Sequence, residues 1–201
     1  MLKTIRTLLQ LPLVATVKTS RAWPAIDRDV RRHLQPRLDL PLADGYTTAA
    51  LLGALAHRPL RTIIAARMRN AGGRDRLVAA IVNRIYKGET ALELSCPQIG
   101  PGFMMMHGFA TIVLAERIGR DCQVAQQVTI GYSDRGGPPI IGDRVRVGAG
   151  AIVIGPVTLG DDCVVGAGAV VVNDVPPGVV VGGVPARVLD GAADRFSAPP
   201  S

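Results

Sequence analysis

The aliphatic residues in the second half of the chain recur at a step of six. Every sixth residue gives an unbroken aliphatic column of Ile141, Val147, Val153, Leu159, Val165 and Val171. Four of them are followed directly by glycine, at positions 142, 148, 160 and 166. A helix repeats its buried face about every 3.6 residues and a strand every second residue, so neither explains this step. The pattern predicts a parallel β-helix, in which three hexapeptides make one triangular coil.

The same six-residue step extends upstream through Ile112, Ile118, Val124 and Ile130, with an earlier turn at Ile99-Gly100. Its phase breaks twice, once between Ile99 and Ile112 and once between Ile130 and Ile141. Residues 93–175 supply roughly four to five coils, which is enough for a stable stack. Because the lattice itself explains the regular positions, we expect function at the two breaks.

The chain before the repeats has a helical pattern instead. Thr47 or Thr48 is expected to cap a helix with an apolar face of Leu51, Leu52, Leu55 and Leu60. A further helix is predicted over residues 74–86, where Leu77, Ile81 and Ile85 recur at four-residue steps. The sequence predicts an α-helical segment over 1–90, a β-helix domain over 91–190 and a flexible tail over 191–201.

Composition and charge narrow the possible partners. Hydrophobic residues make up 48% of the chain but aromatic ones only 3%, as suits a narrow solenoid core, and the net charge is +7. With few aromatic residues for stacking and scattered basic residues, no nucleic-acid partner is expected. No segment approaches the roughly 18 uninterrupted apolar residues of a membrane span, so no membrane partner is expected. The apolar run near the N-terminus is broken by Gln10 and Pro12 and is interpreted as a helix rather than a signal peptide.

The cysteines argue against a metal or disulfide framework. Cys96, Cys122 and Cys163 are odd in number, far apart and without a CxxC pattern. We expect no metal and predict a cytoplasmic location, where thiols stay reduced.

His107 is the single histidine of the repeat region and lies inside the first break. A histidine can take a proton from a hydroxyl near neutral pH and return it later, which is the task of a general base in acyl transfer. An isolated histidine is more often a solvated loop residue, so this assignment depends on the motifs around it.

Five motifs occur in one order: His107-Gly108 after an IG-x-G turn, a QxVTIG box, two GAGA turns, a DVPPG segment and a closing GVPAR. With them, residues 93–189 resemble the serine O-acetyltransferase family of hexapeptide-repeat acyltransferases. The resemblance implies a left-handed parallel β-helix, assembled as a homotrimer and possibly as a dimer of trimers. It also implies acetyl-CoA in the groove between neighbouring subunits and acetyl transfer to the L-serine hydroxyl, giving O-acetylserine for cysteine biosynthesis.

The resemblance assigns catalytic roles to two residues. His107 matches the base that deprotonates the acceptor hydroxyl for direct attack on the thioester, without a covalent enzyme intermediate. The family orients this histidine with an upstream carboxylate, and Glu93 lies one residue from the matching position. A carboxylate on the far ring nitrogen would fix the tautomer. The alternative for Glu93 is a solvated residue at the start of the coil.

Four further residues match coenzyme positions of the family. Ala149 and Ala167, in the two GAGA turns, match residues along the pantetheine arm, although the lattice also favours small residues there. Arg187 matches a basic residue near the coenzyme phosphates, and its alternative is a surface arginine. Asn173 occupies a coenzyme position at which many relatives carry lysine, so one phosphate contact is expected to be lost.

Two departures from the family leave the acceptor open. Met106 stands where the family places an aspartate that helps to hold the amino acid, and a buried ammonium group needs such a partner. The loop over residues 132–139 lacks the histidine of the family's Arg-His-Pro element; Arg135 in it is assigned to an anionic acceptor group, or else is solvated. The alternatives are L-serine, a sugar or polysaccharide hydroxyl, and a non-catalytic β-helix that serves as an assembly module.

Overall fold

The computed structural model describes residues 11–38, 46–134 and 136–190, and the chain divides into two compact units between Thr90 and Ala91. The first unit is helical and the second is a β-solenoid, which makes the described chain mainly β by number of elements. The tail predicted over residues 191–201 lies outside the described residues.

Five described helices form the first unit. They are α1 (Leu11–Lys18), α2 (Trp23–Leu38), α3 (Thr48–Leu55), α4 (Arg58–Ala71) and α5 (Gly73–Ile85). The predicted cap is confirmed, because the Thr47 side chain accepts a hydrogen bond from the Ala50 N–H at 3.2 Å. Leu51, Leu52 and Leu55 form the buried apolar face of this helix as predicted, but Leu60, predicted on the same face, is buried on the next helix, α4.

Two buried polar groups join the helices of this unit. Asp29 on α2 and Arg67 on α4 form a buried ion pair, in which Arg67 Nη2 donates to Asp29 Oδ1 at 2.8 Å. Asp75 on α5 is buried too, and its Oδ2 accepts hydrogen bonds from Ser20 Oγ at 3.2 Å and from the Arg21 N–H at 2.9 Å. Helix α5 therefore packs with its carboxylate facing inward.

The last predicted helix is confirmed, but its aliphatic residues do not face the core. Leu77, Ile81 and Ile85 are 71%, 62% and 67% exposed. Packing of α5 uses other positions, including the buried Ala79 and the partly buried Val78 and Val82.

The second unit is a β-helix of about five coils built from three parallel sheets. Sheet A stacks β1 (Leu92–Ser95), β4 (Thr111–Leu114), β7 (Thr129–Gly131), β10 (Ile152–Ile154) and β13 (Val170–Val171). Sheet B stacks β2 (Gln98–Ile99), β5 (Arg117–Ile118), β8 (Ile140–Ile141) and β11 (Thr158–Leu159). Sheet C stacks β3 (Met104–Met105), β6 (Gln123–Val124), β9 (Arg146–Val147), β12 (Val164–Val165), β14 (Val180–Gly182) and the antiparallel β15 (Arg187–Val188).

The predicted six-residue column is the interior of this solenoid. All six residues from Ile141 to Val171 are buried, and each lies in register with the equivalent residue of the next coil. The parallel β-helix expected from the sequence is therefore confirmed.

The prediction that Ile112 belongs to the buried upstream column is wrong. Ile112 is 40% exposed, whereas Val113 is fully buried and lies in register with the buried Ile130. The sequence step was counted backward from Ile118, but the corner between sheets A and B is one residue shorter here. An aliphatic residue on each side of the strand left the phase undetermined.

Close backbone approach at the corners explains several glycines of the repeat. A Cβ on Gly119 would lie 2.4 Å from the Gly142 carbonyl oxygen, and one on Gly100 would lie 2.4 Å from the Gly119 carbonyl carbon. Gly131 differs, since its nearest neighbour would be a Leu114 side-chain atom at 3.9 Å.

The three cysteines are free thiols buried in this unit. Burial raises the pKa of the Cys163 thiol to about 12, and it also raises the pKa of Cys96. The described residues contain no group of three or more candidate ligands that could hold a metal ion. None of the described helices has the length and apolar character of a bilayer span.

Gly119→Ala should lower the free energy of unfolding by about 1–3 kcal/mol, because the new methyl group has to displace backbone. Gly131→Ala is the matched control, and its methyl group meets only ordinary contacts. Denaturant unfolding of both variants measures the difference. Equal stability of the two would contradict the tight stacking at the Gly119 corner.

Candidate active site

His107 lies in a corner that is two residues longer than the lattice requires. The corners between sheets C and A join an inward residue of one sheet to the next, as Val124 is joined to Ile130 by a step of six. From Met105 to Val113 the step is eight. The hydrogen bond from the Gln127 N–H to the Phe109 carbonyl at 2.9 Å returns the corner to register. His107 and Gly108 are the two residues in excess.

The inserted pair forms a compact turn. His107 and Gly108 both have left-handed backbones, with φ of 64° and 63°, and the Gly108 N–H donates to the Met106 carbonyl at 2.8 Å. A left-handed residue costs a non-glycine about 1–2 kcal/mol. Glycine at position 108 removes that cost from one of the two residues.

Hydrogen bonds fix the chain on both sides of the inserted pair. The Met106 N–H donates to the Val124 carbonyl at 2.9 Å, and the buried Thr111 hydroxyl donates to the Phe109 carbonyl at 3.0 Å. His107 itself is exposed. The imidazole therefore extends into solvent from a backbone whose two ends are held by the lattice.

Two of the predicted coenzyme residues lie on the same edge of the solenoid as His107. We call this the histidine edge; it comprises the stacked corners 106–110, 125–128, 148–151 and 166–169. The Gly150 N–H donates to the Gln126 carbonyl at 3.0 Å, and the Gly168 N–H donates to the Ala149 carbonyl at 2.9 Å. This ladder puts Ala149 and Ala167 in successive coils above the His107 corner. Their side chains end at Cβ, and a Cβ on Gly168 would meet nothing within 4 Å, so this part of the edge is open.

Arg187 belongs to the segment that closes this edge. It lies in β15, paired with Gly182 of β14, and its side chain is exposed, with Nη1 donating to the Ala186 carbonyl at 2.9 Å. The Ala186 N–H donates to the Val170 carbonyl at 2.8 Å, which ties the segment to sheet A above the second GAGA turn.

Glu93 lies near the same edge, one coil away from His107. It is the second residue of β1, exposed, and in register with Ile112 of the strand that the His107 corner leads into. No hydrogen bond or ion pair joins the Glu93 carboxylate to the His107 ring in the described part of the chain. The assignment of Glu93 as the orienting carboxylate stays a prediction.

Asn173 lies on a different edge. We call this the loop edge; it comprises residues 131–139, 155–157 and 172–174, between sheets A and B. Asn173 lines a groove of about 310 Å³ on this edge. The polar residues that line the groove are Ser133, Asp134, Asn173 and Asp174, and the apolar ones are Ile154, Pro156, Val157 and Val172. Asp174 Oδ1 accepts a hydrogen bond from the Thr158 N–H at 2.7 Å. Arg135 lies outside the described residues.

Apolar side chains surround His107 at the surface. Met106 is 41% exposed and Phe109 is 59% exposed, and the exposed Ile112 follows in β4. Gln123 Nε2 donates to Met106 Sδ at 2.6 Å, which orients the methionine that stands directly before His107. No carboxylate other than Glu93 lies among the described residues of this corner and the first two strands of sheet A.

Sequence reasoning missed three features of the site. The hydrogen bonds from the Thr111 hydroxyl and the Gln127 N–H to the Phe109 carbonyl follow from the local turn and from a coil-to-coil contact, respectively, and no motif records either of them. The exposure of Phe109 depends on the true strand phase, which the error at Ile112 had shifted. A signal for the loop-edge groove was present, because Asp134 lies within the second break and Asp174 begins the DVPPG segment.

Comparison with known proteins finds a matching family model. Residues 138–172 match the family model described as the hexapeptide repeat of succinyl-transferase. A comparison of the sequence with curated proteins finds no match.

Solved structures of serine acetyltransferases share the fold. The enzyme from Neisseria gonorrhoeae in complex with serine has 25% identity and a TM-score of 0.66, with 87% of this chain and 72% of that chain covered. The soybean apoenzyme has 26% identity and a TM-score of 0.62, with 84% and 69% covered. The enzyme from Brucella abortus strain S19 has 22% identity and a TM-score of 0.66, with 87% and 72% covered.

The hexapeptide repeat and the shared fold make the chain similar to the serine acetyltransferases, and this similarity supports an acyltransferase.

Proposed function

We propose that the protein transfers the acetyl group of acetyl-CoA to a hydroxyl acceptor, with His107 as the general base. The observation that carries this proposal is the two-residue insertion that presents an exposed imidazole at the foot of an open edge with small side chains. A surface histidine without a role needs no extra residues, no left-handed backbone and no supporting hydrogen bonds.

The chemistry follows from an imidazole beside a thioester. His107 accepts the proton of the acceptor hydroxyl as the oxygen attacks the thioester carbonyl, and the resulting imidazolium returns the proton to the departing thiolate. Proton transfer in both directions leaves the enzyme unchanged at the end of one turnover. Glu93, one coil away, would stabilise the imidazolium and fix the ring tautomer.

The open edge suits the pantetheine arm of the coenzyme. Ala149 and Ala167 carry no side chain beyond Cβ, so an extended chain can lie against the stacked corners toward His107. Arg187, exposed where the closing segment meets this edge, would pair with the coenzyme phosphates.

The distribution of the predicted residues supports a homotrimer. Asn173, on the loop edge, lies across sheet A from the histidine edge, about 10–13 Å away at the rise of a β-strand. We infer that the histidine edge of one subunit faces the loop edge of its neighbour, and that each site takes residues from both. Pairing of two trimers is compatible with this arrangement. The reduced, buried thiols support a cytoplasmic location.

L-serine is the first candidate acceptor. The similar enzymes from Neisseria gonorrhoeae and soybean were each solved with serine. The described surface around His107 has few groups that would bind an amino acid. Met106 and Phe109 contribute apolar area to the corner, and neither can pair with the ammonium group.

The apolar corner favours a sugar hydroxyl as the second candidate. Aromatic and thioether side chains pack against the C–H face of a sugar ring and need no ammonium group on the acceptor. The exposed ring of Phe109, two residues from the base, is the specific observation behind this alternative.

His107→Ala should lower turnover by about 100-fold or more and leave coenzyme binding nearly unchanged, because a general base is lost while the open edge remains. Thiol release from acetyl-CoA measures turnover, and calorimetry measures binding. Gln98→Ala, an exposed change on sheet B of the first coil, is the control and should keep full turnover. Unchanged turnover in His107→Ala would remove this residue from the mechanism.

Glu93→Gln should lower turnover by about tenfold or more without raising KM for the coenzyme, because the amide cannot stabilise an imidazolium. The pH profile of turnover should shift to lower pH in this variant, since the lost carboxylate no longer favours the protonated ring over the neutral ring that acts as the base. A wild-type profile with wild-type turnover would leave Glu93 as a solvated residue.

An acceptor screen decides between serine and sugars. Full-length protein with acetyl-CoA should release thiol with one of these two classes and stay near background with the other. Met106→Asp should then improve kcat/KM for L-serine by about 10-fold to 100-fold, the value of a charge-assisted hydrogen bond. No thiol release with any acceptor and no coenzyme binding would overturn the enzyme proposal in favour of an assembly module.

A further inference from the structure

Helix α5 has an exposed face that the helical core does not use. We call this face the α5 stripe; it consists of Leu77, Ile81 and Ile85 together with Arg74, Arg76 and Arg84 of the helix and Lys87, two residues beyond its end. Its three aliphatic residues are 62–71% exposed and lie four residues apart, so they form one row along the helix. Single exposed aliphatics are ordinary on a protein surface, but three in one helical row are a patch.

The cations of the stripe lie beside this row. Arg74 and Arg84 are three residues from Leu77 and Ile81, which puts them on the same face, and Arg76 and Lys87 lie at its margin. All four are exposed, and no described carboxylate pairs with any of them. The one carboxylate of α5, Asp75, is buried and accepts its hydrogen bonds from Ser20 and Arg21. The exposed face of α5 therefore carries positive charge alone.

We propose that the α5 stripe docks the protein on an anionic lipid surface. A helix with aliphatic residues and unpaired arginines on one face lies in the headgroup region, where the aliphatic groups reach the acyl boundary and the cations meet lipid phosphates. Arginine stems can lie along the apolar boundary while their guanidinium groups stay at the headgroups. The net charge of +7 adds long-range attraction to such a surface.

A second copy of the chain fits the stripe less well. A two-fold contact would bring the same patch of both copies together and set arginine against arginine, with no carboxylate on either face to pair with them. The expectation of no membrane partner came from the lack of a spanning segment, and peripheral docking requires no span.

Vesicle sedimentation of the full-length protein tests the proposal. The protein should pellet with vesicles that contain phosphatidylglycerol, should stay in the supernatant with pure phosphatidylcholine, and should be released from the anionic vesicles by salt. No acceptor or coenzyme is needed, so the result is independent of the proposed enzymatic activity.

Two variants locate the binding on the stripe. Leu77→Gln combined with Ile81→Gln should lower the partition coefficient at least about tenfold, and Arg84→Gln should lower it about fivefold. Arg58→Gln, an exposed arginine on α4, is the charge-matched control and should bind as the wild type does. Circular dichroism checks that the variants keep their helices, as expected for substitutions of exposed residues.

Three results would overturn the proposal. They are absence of binding to anionic vesicles, equal binding to both kinds of vesicle, and a change in oligomeric mass of the Leu77/Ile81 variant without any lipid binding of the wild type. The last result would show that the stripe is covered by protein.

Discussion

The backbone hydrogen bonds between successive coils, here called the ladder, fix the register on which the rest of the β-helix depends. Each corner donates to the carbonyl of the corner one coil away, as from Gly168 to Ala149 and from Gly150 to Gln126. A parallel stack tolerates no slip, because a shift of one residue would turn every buried side chain outward. An extra residue therefore has to leave the solenoid at the corner where it occurs. Both breaks in the six-residue step obey this constraint.

The first break contains His107 and the second forms a surface groove. At the histidine edge, the two extra residues form a short turn. The residues on both sides of it keep their hydrogen bonds to the next coil, so the backbone that carries the imidazole has a defined position. At the loop edge the excess is longer, and Ser133 packs back over Gly155 to form one wall of a groove.

The residues that follow the six-residue step were predictable from the sequence, and most contacts at the two breaks were not. The column from Ile141 to Val171 and the cap at Thr47 follow from local rules, so both were predicted correctly. Ile112 was placed inside because two adjacent aliphatic residues fit either phase, and only the ladder to β7 decides between them. His107 was found because it is the one histidine of the repeats. Its support by Gln127 comes from the neighbouring coil, and its support by Thr111 depends on the local turn, and periodicity alone predicts neither.

The closed turn at His107 and Gly108 separates two kinds of change in this protein. Because the ladder resumes at Phe109, the inserted residues can vary in number or type without disturbing the coils above and below. The neighbours of His107, Met106 among them, can therefore be exchanged while the scaffold and the other corners of the histidine edge persist. A solenoid of this kind can acquire a new acceptor through substitutions in one corner. Its free energy of unfolding would hardly change.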